Sequence, residues 1–163
     1  PVGTEADARY ADRCAVVCAV LTADCLPLLL CSDDGREVAA VHCGWRGLVA
    51  GIVGEAVGRF TAAPDSLSAW LGPAIGPAAF EVGGEVRAMF LAVDAGAATC
   101  FVPGPGDRWL VDLYGLARRA LAMAGVRRVH GGTACTVTEA ERYFSYRREG
   151  VTGRMASLIW RVA

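Results

Sequence analysis

The chain contains no lysine, asparagine or glutamine, and its only histidines are His42 and His130. All 16 of its basic residues are therefore arginine. That excludes a Schiff-base lysine, a P-loop lysine and any oxyanion hole built on asparagine within this chain. No apolar run approaches the roughly 20 residues that span a bilayer. No basic segment followed by an apolar stretch opens the sequence, so it reads as cytoplasmic rather than secreted or membrane-bound. A formal net charge of −1 provides no pull toward nucleic acid or an anionic membrane. The seven cysteines form no repeated Cys-x-x-Cys, so reduced thiols are expected instead of a disulfide framework. Of these, Cys14, Cys18 and Cys31 lie in apolar runs and are expected to be small buried hydrophobes. At 163 residues and 54% hydrophobic content, the expectation is one domain with a substantial core.

Short apolar runs separated by turns dominate the first third. Residues 14–21 read as a buried strand, and 28–31 as a second that follows the Asp24-Cys25-Leu26-Pro27 turn. Asp33-Asp34-Gly35 is a hairpin signal, and 38–41 read as the returning strand. From Trp45 to Phe60, apolar residues recur at helical spacing. Glycines at 47, 51, 54 and 58 in the same segment predict a helix packed closely against something, with its free N-terminal N–H groups turned toward an anion. Residues 68–71 read as a strand, 85–92 as a helix and 100–102 as a short strand. Asp112 is an N-cap for a helix over 113–124 that Gly125 stops. Residues 127–136 read as extended, 139–142 as a helical turn and 154–162 as a final strand. The pattern implies a single α+β domain.

Two turns carry the chemistry. Thr22-Ala23-Asp24-Cys25-Leu26-Pro27 and His42-Cys43-Gly44-Trp45-Arg46-Gly47 each put a soft ligand or nucleophile at the end of an apolar run. If those runs are neighbouring strands, Cys25 and His42 meet. A thiolate beside an imidazole suits a metal with an open coordination position, or a Cys–His nucleophilic pair. Asp24 would then be an acceptor that orients the imidazole or a metal-bound water. Arg46, Arg147, Arg148 and Arg154 are candidate anion readers, since a guanidinium fork grips phosphate bidentately. Glu81, after a Gly/Pro loop, reads as either a buried acid or a helix cap. His130 reads as a surface residue.

Ala23-Asp24-Cys25-Leu26-Pro27, His42-Cys43-Gly44-Trp45-Arg46-Gly47, Leu71-Gly72-Pro73-Ala74-Ile75-Gly76, Phe80-Glu81-Val82, Cys135-Thr136, Phe144-Ser145-Tyr146-Arg147-Arg148 and Gly153-Arg154-Met155 occur in this order. Together they resemble the laccase-domain family, also called the YfiH or polyphenol-oxidase-like family. The resemblance implies an α-β-β-α sandwich and a zinc site made by His, Cys and His. It also implies purine nucleoside phosphorolysis or adenosine deamination, with copper-dependent phenol oxidation as another assigned activity. Cys25 and His42 match the second and third metal ligands. The first is a histidine upstream of Asp-Cys-Leu-Pro, and this sequence, which opens on Pro1, has none before His42. The expectation is a laccase domain over 1–163 whose N-terminal portion is not included.

On this reading the protein is a Zn²⁺ enzyme acting on purine nucleosides and phosphate. Cys25, His42 and Asp24 do the chemistry, and Arg46, Glu81, Arg147 and Arg154 hold substrate. Cu²⁺ oxidation of phenols, a metal-free Cys–His hydrolase and a non-catalytic domain stay open as alternatives. Homo-oligomerisation also stays open.

Overall fold

The structure, a computed structural model, describes residues 6–162. The chain runs β1 (Ala8–Ala11), β2 (Val17–Thr22), β3 (Leu26–Ser32), β4 (Val38–Cys43), α1 (Trp45–Val49), α2 (Ile52–Val57) and β5 (Leu67–Leu71). It continues through β6 (Glu81–Gly83), α3 (Gly84–Val93), β7 (Phe101–Pro103), β8 (Arg108–Val111), α4 (Leu113–Met123), β9 (Arg128–Gly131), α5 (Tyr146–Glu149) and β10 (Met155–Trp160). Five strands form the central sheet in the order β1-β4-β3-β5-β9, antiparallel except for β5 and β9. A β2–β10 ribbon lies over one face, and α1, α2 and α4 cover the other. A small sheet, β6-β8-β7, carries α3 at one end. The architecture is mixed α+β, as the sequence implies.

Alternation along β3 and β4 divides the interior in two. Leu26, Leu28 and Leu30 of β3 and Ala39, Val41 and Cys43 of β4 enter the main core beneath the helices. Val38 and Ala40 instead join Cys18 and Val20 of the ribbon, with Leu29 and Cys31 packed against them. Leu26, Leu28 and Leu30 are fully buried, and each contributes about 1.5–3 kcal/mol by leaving water. In α4, Leu113, Leu116, Ala117 and Leu121 face this core. Asp112 caps that helix, accepting the Gly115 N–H at 2.9 Å.

Several sequence expectations change. The Trp45–Phe60 helix is two short helices, because Gly51 at φ 86° reverses the chain between them. The glycine spacing therefore breaks the helix instead of packing it closely, and space at Gly51 and Gly54 is open. The five-residue α1 has too little macrodipole to form an anion site by itself. The first long strand is not buried, since β2 and β10 alternate and turn Val17, Leu21, Leu158 and Trp160 outward. Correspondingly, Cys14 is exposed and Cys31 half-buried, whereas Cys18 is buried. Strands β1, β6 and β8 and helix α5 are additional to the elements expected from the sequence, and the extended segment after Arg127 ends at Gly131. Among the described residues, no helix is long and apolar enough to cross a membrane.

Candidate active site

The β3–β4 register sets Leu26 opposite Cys43 and Pro27 opposite His42. Since Leu26 and Cys43 point into the helical core, Pro27 and His42 point to the other face, and Cys25 returns to that face one step beyond β3. Cys25 therefore stands opposite Gly44 and diagonal to His42. A methyl group built on Gly44 would lie 3.3 Å from Cys25 Sγ, 3.8 Å from His42 Cε1 and 3.9 Å from His42 Nε2. Thiol and imidazole converge on the space that this glycine leaves empty. Cys43 is buried on the opposite side, where burial raises its thiol far above the usual range. It is not available as a third ligand.

Behind the imidazole stands Asp7, which the sequence reading did not single out. β1 pairs with β4 so that Ala8 lies opposite Val41, which brings Asp7 beside His42. The His42 backbone N–H donates to the Asp7 carbonyl at 2.6 Å, and Asp7 Oδ1 lies 2.8 Å from His42 Nδ1. The imidazole pKa is pushed up to about 9, first by the neighbouring Cys25 thiol. Asp7 adds to that shift, and burial opposes it. The role of imidazole acceptor expected of Asp24 thus belongs to Asp7. Asp24 is buried and points elsewhere, its Oδ1 accepting the Thr136 hydroxyl and its Oδ2 the Arg147 N–H, both at 2.6 Å.

Cys25 and its neighbour Asp24 line a cleft of about 300 Å³ together with Trp45, Arg46, Phe80, Tyr146 and Arg147. The Arg46 guanidinium lies 4.4 Å over the Trp45 ring, and that of Arg147 lies 5.6 Å over Phe80. Arg147 also donates to the Glu81 carbonyl at 3.2 Å. Each cation is held against an aromatic wall, so the cleft offers flat apolar surface and positive charge side by side.

Three of the expected anion and substrate residues are engaged elsewhere. The Glu81 carboxylate is exposed, 3.9 Å from Arg108 Nε, because alternation in β6 sends Val82 inward and Glu81 outward. The Arg154 guanidinium folds back onto the Thr152 and Gly153 carbonyls. Arg148 is spent on the carbonyls of Thr136, Val137 and Tyr143. His130 is exposed on β9. A second hollow, of about 280 Å³ between α2, α3 and α4, is lined by apolar side chains and the Asp94–Arg119 pair and holds no nucleophile.

The donor chemistry fits a borderline-soft cation at two positions. Cys Sγ and His Nε2 suit Zn²⁺ or Cu²⁺, and Asp7 on Nδ1 fixes the ring orientation, as the outer partner of a ligating histidine does. Among the described residues, no third His, Cys, Asp or Glu joins them to complete a cage.

Comparison with known proteins supplies the family. Residues 2–162 match the family described as multi-copper polyphenol oxidoreductase laccase. Purine nucleoside phosphorylase YfiH of Escherichia coli strain K12 is 58% identical over 155 residues, covering 95% of this chain and 63% of that protein. A purine nucleoside phosphorylase of Pseudomonas aeruginosa is 52% identical over 157 residues, covering 95% of this chain and 64% of its own length. The crystal structure of a Neisseria meningitidis protein of the DUF152 family superposes with a TM-score of 0.96 at 49% identity, over 98% of this chain and 66% of that one. YfiH of Bacillus licheniformis superposes with a TM-score of 0.91 at 29% identity, over 96% of this chain and 61% of that one. The chain spans 63% of the length of the E. coli relative. The motifs, the fold and these matches agree, and the chain belongs to the multi-copper polyphenol oxidoreductase laccase family, whose relatives include YfiH.

Proposed function

We propose that this chain carries the nucleoside and phosphate cleft, and two of the metal ligands, of a purine nucleoside phosphorylase. The observation that carries this reading is Cys25, with His42 converging on it at Gly44, lining a cleft whose walls are aromatic rings backed by guanidinium groups. A purine matches the flat faces of Trp45, Phe80 and Tyr146, while Arg46 and Arg147 match phosphate. In the reaction, a phosphate oxygen forms a bond to the ribose anomeric carbon and the glycosidic C–N bond breaks. The bonding pair stays with the base, which takes up a proton, and ribose 1-phosphate is the second product. Arg46 and Arg147 bind and orient the nucleophilic phosphate, and the aromatic walls hold the base and exclude water. Cys25 and His42 would hold Zn²⁺, which when bound supplies Lewis acidity and can activate water.

Two similarly placed metals or activities are separated by direct assay. Cu²⁺ suits the same ligands, but multi-copper oxidation needs several centres, and this chain has only two histidines, one of them exposed on β9. Incubation with adenosine or inosine plus phosphate should release adenine or hypoxanthine with ribose 1-phosphate. Release of inosine from adenosine without phosphate would mark deamination instead. Neither product from metal-replete protein would count against the proposal.

One further observation favours a metal-free alternative. Asp7, His42 and Cys25 stand in the acid–imidazole–nucleophile order of a thiol hydrolase. Iodoacetamide separates the two readings. Protection of Cys25 by zinc supports ligation, and undiminished labelling in excess zinc supports the thiol nucleophile.

A further inference from the structure

One buried carboxylate holds the turn that presents Cys25. Asp24 sits at φ 91°, a left-handed conformation that residues with a Cβ keep only where their surroundings enforce it. Here the enforcement comes from three distant segments. Its Oδ1 accepts the hydroxyl of Thr136 at 2.6 Å, its Oδ2 accepts the backbone N–H of Arg147 at 2.6 Å, and its carbonyl accepts the N–H of Ile75 at 2.9 Å. The reversal at Asp24 sends two consecutive side chains opposite ways. The carboxylate goes toward α5, and the thiol of Cys25 toward Gly44 and His42.

Helix α5 carries Tyr146 and Arg147, which form part of the cleft wall with Cys25. Four residues cannot hold a helix alone, since the first turn costs more order than its hydrogen bond returns. Its start is fixed by the Ser145 hydroxyl, which accepts the Arg148 N–H at 3.2 Å, and by the Asp24 carboxylate on the Arg147 N–H. Only the second of these bonds ties α5 to the Cys25 turn. Both carboxylate oxygens are taken by donors, and neither is hydrogen-bonded to Cys25 or His42. Asp24 is therefore placed to set geometry, not to move a proton.

We infer that Asp24 is a positioning residue whose carboxylate fixes the Tyr146–Arg147 wall at its distance from the Cys25 turn, and so sets the width of the substrate cleft. This rests on reading that cleft as the nucleoside and phosphate site. The distinctive partner is Thr136, which is fully buried and does not line the cleft, so it can be altered without touching substrate. Thr136→Val deletes one hydrogen bond to the carboxylate, Thr136→Ser keeps it, and Asp24→Asn leaves one of the two donors facing an amide N–H.

The test measures two things on each variant. Limited trypsin digestion, read by mass spectrometry, gives the rate of nicking after Arg147 and Arg148. Steady-state phosphorolysis of inosine gives kcat and KM separately. Thr136→Val and Asp24→Asn are expected to speed nicking by about tenfold or more, the ratio that one lost hydrogen bond to a charged group is worth. They should also raise KM for inosine and phosphate by a similar factor with kcat little changed, while Thr136→Ser behaves as the unaltered protein. Unchanged nicking in Thr136→Val overturns the inference, even if Asp24→Asn fails to fold. So does a fall in kcat at constant KM, which would make Asp24 an acid–base group. Absence of phosphorolysis from the unaltered protein would sink the functional reading instead, and nicking would still decide the clamp.

Discussion

Gly44 adopts φ −69° and ψ 161°, a conformation open to every residue, so its identity answers to space and not to backbone strain. The space concerned is the point where Cys25 Sγ and His42 Nε2 converge. A methyl group there would meet sulfur at 3.3 Å, close enough to require a small shift but not a collision with backbone. Gly44→Ala should therefore fold with a melting temperature within a few degrees of the unaltered protein, because side chains can yield a few tenths of an ångström. The same methyl would occupy the volume that a cation bridging the two ligands must enter. Zinc affinity should fall by tenfold or more, about the loss seen when a supporting contact of a metal site is removed. Equilibrium dialysis against zinc gives the affinity and a thermal melt gives the fold. Unaltered affinity would show that a bridging ion does not sit between these two side chains.

Among the elements, β1, β4 and the loop after α2 meet at Glu37, whose carboxylate is buried. Thr61 and Ala62 donate their N–H groups to it at 2.8 and 2.9 Å, and the Tyr10 hydroxyl donates to the same carboxylate. Burial by itself would raise this carboxyl, but the three hydrogen bonds outweigh it and leave the pKa below the usual value. A depressed carboxylate contributes stability that is present above its unfolded pKa of about 4.3 and disappears as pH falls through the folded value. Glu37→Gln should cost about 1–3 kcal/mol at pH 7, and the gap to the unaltered protein should narrow on acidification below about pH 4. Urea midpoints at pH 7 and pH 3.5 measure it, and a gap that widens with acid would refute the assignment. Elements whose signals are local could be read from sequence, such as the turn at Asp33-Asp34-Gly35 and the Asp112 cap of α4. What could not be read depends on partners far away. Gly51 could be a packing glycine or a break, and only the fold decides. Likewise Asp7 acquires its role from the pairing of β1 with β4, and Asp24 from Thr136 and Arg147, more than 100 residues onward. Cys25 and His42 were legible because Cys25 immediately precedes β3 and His42 lies near the end of β4, and short strands joined by a hairpin turn are neighbours.

For the molecule as a whole, the proposed metal position joins strands that are already paired. Cys25 and His42 flank the β3–β4 ladder, and Leu26, Leu28, Val41 and Cys43 beside them are fully buried. Metal binding thus has little chain left to order, and the fold should persist without it, unlike a zinc finger. Its contribution should follow mass action, about 2.7 kcal/mol when free zinc is 100 times the dissociation constant. Seven cysteines in the unfolded chain also attract zinc, so the observed gain should fall somewhat short of that figure. Cys25→Ser separates the effects, because it deletes a site ligand and leaves six other thiols. In EDTA, urea denaturation of Cys25→Ser should match the unaltered protein closely, since the half-exposed thiol contributes little packing. With zinc added, only the unaltered protein should gain stability. An equal gain in both would locate the bound zinc at other cysteines, and unfolding of the unaltered protein in EDTA alone would show that the metal builds the fold instead of occupying it.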